Sequence, residues 1–191
     1  MNNLKNLQTV DWTTIPAPRD DGATDHLQGM PLPNISLTGT GGQQVNLASL
    51  PERTLVYIYP MTGRPDTDLP VGWDSIPGAR GCTPQSCSFR DHADELTALG
   101  VVNLFGLSAQ QPDYQQEAAE RLHLPFPLLS DNQLLLAEKL RLPTMDVEGM
   151  TLLKRVTLVI EDGVIVKVFY PVFPPDADAD RVVEWLRNER R

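Results

Sequence analysis

The stretch "GARGCTPQSCSFRD", residues 78–91, contains both cysteines of the chain, Cys82 and Cys87, with four residues between them. Before it, "TLVYIYP" (54–60) is a near-continuous apolar run of the kind a strand shows when both its faces are covered. After it, Phe89, Ala93, Leu96 and Leu99 recur at helical spacing. Pro84 suits a first helical turn and Gly100 a stop, so a helix is expected over 84–99. Cys82 therefore falls where a loop leaving a buried strand turns into a helix.

Working outward, the same alternation of buried strand and amphipathic helix continues. "VVNLFGLS" (101–108) reads as a second buried strand, and "PDYQQEAAERLHL" (112–124) puts Tyr114, Ala118 and Leu122 on one helical face. "SDNQLLLAEKL" (130–140) opens with Ser130 and Gln133 at the spacing of a capping box. "RVTLVI" and "VIVKVFY" flank Asp162-Gly163, a strong hairpin signal. A last helix from about Asp176 carries Ala179, Val182, Val183 and Leu186 on one face, with aspartates at its start and arginines at its end to match the helix dipole. Nearer the N-terminus, "NISLTGTGGQQVNLASL" reads as a hairpin around Gly41-Gly42 that leads into a short helical turn. This order implies an α/β fold with a central mixed β-sheet flanked by helices, the order of thioredoxin-like folds. Residues 1–30 read as an N-terminal extension lying over a domain that spans 31–191.

The chain has 191 residues, enough for one domain with a real core. Its 16 Lys and Arg against 25 Asp and Glu give a net charge of −9, with no basic block to neutralise a row of phosphates, which argues against nucleic acid as a partner. No apolar run has signal-peptide or membrane-span length, so no membrane partner is expected and the cytoplasm is the simplest compartment. In that compartment a close thiol pair is more often metal-binding or redox-active than structural. Metal is the weaker option. Four ligands are needed, and His26, His92 and His123 do not stand at a ligand spacing from the cysteines. No metal and no other cofactor is expected.

A thiol at Cys82 would meet unpaired backbone N–H groups and the positive end of a helix dipole, and both favour thiolate, the nucleophilic form. In ideal helix geometry Cys87 has its Cα about 8–9 Å from that of Cys82, whereas a disulfide tolerates at most about 7 Å. The pair can be oxidised to a disulfide only if the helix unwinds locally. Two small buried hydrophobes would be the bland reading of the same residues.

The segment "GCTPQSCSFRD" (81–91) closely resembles the G-C-T-x-[EQ]-x-C-x-F-R-D segment of the Q-type peroxiredoxins, also called bacterioferritin comigratory proteins. "VYIYP", "RVTLVIEDGVI" and the terminal helix follow in that family's order, and the resemblance runs over roughly residues 31–190. It implies a thiol peroxidase acting on hydrogen peroxide and organic hydroperoxides. Cys82 would be the peroxidatic cysteine and Cys87 the resolving one, with thioredoxin or a similar dithiol recycling their disulfide, in a monomer or homodimer. Arg155, which opens an apolar strand, matches the family's active-site arginine; Arg90 reads as an ion-pairing surface residue, and Gln85 as a first-turn hydrogen-bonder. The family pattern P-x-x-x-T-x-x-C is broken here. Ala79 stands three before Cys82, and residues at about 63–78 look inserted between Pro60 and the cysteine. Thr62 is then the candidate for the threonine hydroxyl. The competing readings are a thioredoxin-like protein thiol–disulfide oxidoreductase, which usually uses a two-residue spacing, and a non-enzymatic redox sensor.

Overall fold

Strand β3 (Arg53–Ile58) is the central axis of the sheet, and its side chains alternate between two cores as a pleated strand requires. Leu55 and Tyr57, with Tyr59 just beyond, face one hydrophobic core, and Val56 and Ile58 face the other. The computed structural model describes residues 10–189. A seven-stranded mixed sheet runs in the order β2-β1-β5-β4-β3-β8-β9. Its strands are β1 (Ser36–Gly39), β2 (Gln44–Asn46), β3, β4 (Asn103–Ser108), β5 (Leu128–Ser130), β8 (Val156–Glu161) and β9 (Val164–Phe169). Strands β3, β4 and β5 are parallel, and the hairpins β1–β2 and β8–β9 close the two edges.

One face of the sheet is covered by α1 (Cys82–Asp91), α2 (Ala93–Ala98), α3 (Pro112–Arg121) and α5 (Asp178–Glu189), through Phe89, Leu96, Ala118 and Val182. The opposite face is covered by α4 (Leu135–Leu140) through Leu136 and Leu140, together with Leu27 and Leu32. The α/β thioredoxin-like sandwich is thus formed. The Asp162-Gly163 hairpin also forms, with both residues at positive φ (47° and 78°), the geometry of a tight two-residue turn.

Three local expectations change. The helix after the cysteine loop begins at Cys82, earlier than Pro84, and breaks at His92 into α1 and α2. The capping box does not form, because Ser130 belongs to β5 and donates its hydroxyl to the Gln110 carbonyl. Asp131 caps α4 instead, its carboxylate accepting from the amides of Leu136 (3.1 Å) and Ala137 (2.8 Å). The last helix starts at Asp178, after a 3-10 turn over Pro175–Ala177. A further hairpin, β6 (Thr144–Val147) with β7 (Met150–Leu153), stands apart from the main sheet. Its turn residues Glu148 and Gly149 take positive φ without the Asn-Gly or Asp-Gly signature.

Of the expected extension, residues 1–9 lie outside the described residues. The remainder is fastened to the domain: Trp12 donates its indole N–H to Asp176 (2.8 Å), Asp21 accepts from Tyr170 (2.7 Å) and Lys154 (3.1 Å), and Leu27 is fully buried. These two bonds hold the Asp21 carboxyl down at about 2, the Tyr170 bond being the larger cause.

Gly106 on β4 is paired with Tyr57 on one side and Leu128 on the other. A Cβ there would lie 2.5 Å from Leu128 and 2.7 Å from the Tyr57 ring. That ring cannot step aside, because it is stacked on Phe89 at 4.5 Å. Gly106→Ala is therefore expected to destabilise the fold by about 1–3 kcal/mol, read as a lower denaturant midpoint. A midpoint equal to wild type would show that the Tyr57 ring is not held against this strand.

Candidate active site

Strand β8 runs antiparallel to β3, with Val156 opposite Ile58, so the residue preceding β8 lies beside the place where the chain leaves β3. That residue is Arg155. The chain leaving β3 returns through residues 63–78 to Gly81, whose φ of 110° is available to glycine and costly for other residues. Close packing adds a second reason for glycine: a Cβ at Gly81 would stand 2.6 Å from the Trp12 ring and 2.7 Å from Pro175. Cys82 is the first residue of α1, and Gln85 makes the first intrahelical amide bond, back to the Gly81 carbonyl (3.0 Å). The amides of Cys82 and Thr83 therefore have no acceptor within the helix, and Pro84 brings no N–H to compete with them.

Arg155 is 3% exposed, and its Nη2 lies 3.3 Å from Cys82 Sγ. The same nitrogen donates to the carbonyls of Gly78 (3.2 Å), Ala79 (3.2 Å) and Arg80 (3.3 Å), so one guanidinium fastens both the sulfur and the loop before it. Nη1 donates to Gln85 Oε1. Gln85 then donates through Nε2 to Asp178 Oδ2 (2.7 Å), which also accepts from the Thr157 hydroxyl (2.6 Å). All five residues are buried. Burial pushes the Asp178 carboxyl up, while the bonds from Thr157 and Gln85 and the charge of Arg155 act against it.

Cys87 is on the same helix, partly buried and not bonded to Cys82. Burial pushes its thiol up, opposed by the charge of Arg90. Arg90 was expected to be a surface ion-pairing residue and does pair with Asp91 (2.8 Å), but it also donates to the Leu122 carbonyl and bears on the second sulfur. The buried helix face around these cysteines includes Ser86, which accepts from the Tyr57 hydroxyl (3.0 Å), and Phe89.

The structure brings Cys82 and Arg155 together and keeps Cys87 on their helix. Thr62 is buried close by, but its amide (3.0 Å) and hydroxyl (3.3 Å) both turn to Gln110 Oε1. Its neighbours Met61 and Gly63, rather than Thr62, line the cleft at the sulfur. Sequence reasoning missed Asp178, which reads as one of several aspartates suited to a helix start. Its complete burial sets it apart, and no local pattern announces that.

A family model described as Redoxin matches residues 27–183. The chain is 33% identical to Peroxiredoxin Bcp of Escherichia coli over 161 residues, 82% of this chain and 92% of that one. It is 27% identical to a chloroplastic Peroxiredoxin Q of Populus jackii, over 84% of this chain and 68% of that one. Among solved structures, Peroxidoxin BcpB of Mycobacterium tuberculosis superposes with a TM-score of 0.69 at 26% identity, covering 87% of this chain and all of that one. A Xylella fastidiosa PrxQ variant at 18% identity, also with a TM-score of 0.69, agrees in fold. A buried thiol at a helix start, an arginine against its sulfur and these relatives lead to one conclusion: the chain belongs to the redoxin family and is a peroxiredoxin of the Bcp and Q type, a thiol-dependent peroxidase.

Proposed function

We propose that Cys82 is the peroxidatic cysteine, Cys87 the resolving cysteine, and Arg155 the residue that holds the peroxide and the sulfur in register. The observation that carries this reading is the 3.3 Å approach of Arg155 Nη2 to Cys82 Sγ at the start of α1. In the first step the Cys82 thiolate attacks one oxygen of the hydroperoxide. An S–O bond forms and the O–O bond breaks. The sulfur is oxidised by two electrons to a sulfenic acid, and the other oxygen leaves as hydroxide or alkoxide and takes up a proton. Arg155 and the free amides at the helix start supply positive charge where that oxyanion develops. In the second step the Cys87 sulfur attacks the sulfenic sulfur, an S–S bond forms and water leaves. Thioredoxin or a similar dithiol then reduces the disulfide.

Gln85 and Asp178 serve this site as positioning residues, keeping the guanidinium turned to the sulfur. Thr62 reaches a bound peroxide only by releasing Gln110. In its present position it fixes the rim of the cleft through Met61 and Gly63. Protein thiol–disulfide exchange is the less favoured activity, since Cys82 is buried, at 4% exposure, and offers no ready approach to a disulfide on a protein surface. No helix among the described residues is long and apolar enough to cross a membrane. We place the working protein in the cytoplasm, with residues to about 30 as an extension on the 31–191 domain.

Three outcomes test this. Cys82→Ser should abolish turnover, whereas Cys87→Ser should consume one equivalent of peroxide and then stall or pass to sulfinic acid. Mass spectrometry that found the sulfenic adduct on Cys87 of the wild type would reverse the roles. Arg155→Ala should slow thiol oxidation in stopped flow by about ten- to a hundred-fold, the equivalent of a lost charge-assisted contact of about 1.5–3 kcal/mol; an unchanged rate would remove Arg155 from the site. Disulfide formation must unwind α1, because its cysteines cannot meet across an intact helix. Hydrogen exchange should therefore quicken in oxidised protein over residues 82–92 and leave α2 protected. Equal protection in both redox states would show that Cys87 reaches Cys82 without unwinding.

A further inference from the structure

The cleft over Cys82 is small. It measures about 20 Å³ and is walled by Met61, Leu69 and Trp73 on one side and by Gly81 to Pro84 on the other. One water needs roughly 10–15 Å³ of such space, so the cleft holds little more than a water or a hydrogen peroxide molecule. A hydrogen peroxide molecule fits within the cleft, whereas a bulky substituent on the peroxide would have to sit at its mouth, against Met61 and Leu69.

The walls are also fixed. Trp73 is 4% exposed and forms a small third core with Ala79, Val147 and Leu152, against which Met61, Leu69, Ile76 and Met145 pack. Val147 and Leu152 belong to the β6–β7 hairpin, so the hairpin and the 63–78 segment brace each other. Within the segment, Trp73 N–H bonds Pro70 O (3.1 Å) and Ile76 N–H bonds Trp73 O (3.2 Å). The Asp74–Arg80 ion pair (2.9 Å) ties the segment to the loop entering α1. Behind the thiol, Trp12 and Pro175 pack against Gly81.

From this geometry we propose that the 63–78 segment makes the chain a size-selective peroxidase for hydrogen peroxide. Leu69, at the half-buried rim, and Trp73, in the small core, set the limit. This rests on the peroxidase reading above. A hydroperoxide bearing a bulky apolar group would have to displace Leu69 before its O–O bond could reach the sulfur.

The test is the second-order rate of Cys82 oxidation in the full-length reduced protein, with hydrogen peroxide and with cumene hydroperoxide, each divided by the rate of a free small thiol with the same oxidant. Hydrogen peroxide should be favoured by about tenfold or more, the least that discrimination by pocket size gives. Leu69→Ala and Met61→Ala, which open the rim, should each shrink that preference by several-fold. Wild-type protein that took cumene hydroperoxide as readily as hydrogen peroxide, or a preference unmoved in both variants, would overturn the proposal. Failure to react with either oxidant would bring down the peroxidase reading, and this inference with it.

Discussion

A guanidinium taken out of water loses several kcal/mol of hydration unless its donors are met, and the active end of this molecule is organised around one whose Nη1 and Nη2 are met and whose Nε is left without a partner. Arg155 binds three successive carbonyls of the loop before Cys82, the Cys82 sulfur and the Gln85 amide oxygen. These contacts decide where α1 begins and which way its first residue faces. Arg155 carries only donors, so the Gln85 amide turns its oxygen to the guanidinium and its nitrogen to Asp178, which also accepts from Thr157. The start of α5 is thereby coupled to the start of α1, and Pro175 beside it presses on Gly81.

The same network shapes the second half of the cycle. Gln85, Ser86 and Cys87 follow one another on α1, so unwinding that lets Cys87 travel to Cys82 also loosens the Gln85 bonds to Arg155 and Asp178, and the Tyr57–Ser86 bond. Phe89, stacked on Tyr57, holds the following turn in the core. Farther on, α1 ends at His92, whose ring contacts the Ser88 carbonyl (2.8 Å) and Asp180 of α5 (3.0 Å). The segment that must move is thus bounded by a break already present in the helix, and resolution can reshape α1 without dismantling α2.

Around this centre the 63–78 segment and the β6–β7 hairpin pack as one unit. Neither could bury a core alone. Together they seclude Trp73, Ala79, Val147 and Leu152 and place a rigid wall beside the sulfur. In the role proposed for it, the 63–78 segment restricts the space above Cys82 through Leu69 and Trp73.

The sequence by itself determined what depends on near neighbours. Near-continuous apolar runs specified β3 and β4, the apolar runs on either side of Asp162-Gly163 specified β8, β9 and their turn, and the pattern 81–91 located the two cysteines and the family. Arg155 was picked out by its match to the family's active-site arginine; an arginine at a strand end is otherwise ordinary. Only the tertiary structure decided the rest. Sequence separations of 70 positions from Gln85 to Arg155 and of 93 from Gln85 to Asp178 part partners whose individual residue types are ordinary for their local positions. Ser130 and Gln133 have the spacing of a cap, but pairing with β1 and β4 draws Ser130 into the sheet and leaves Asp131 to cap α4. Thr62 is close to the cysteine in space, yet its hydroxyl is committed to Gln110 from the next strand end. The β6–β7 hairpin turns on Glu148-Gly149 and buries Val147 and Leu152 against Trp73 of the 63–78 segment. A local pattern records the conformation a segment prefers; which buried donor meets which acceptor is set by the cost of leaving either unpaired, and that cost arises only when distant parts of the chain share the same dry space.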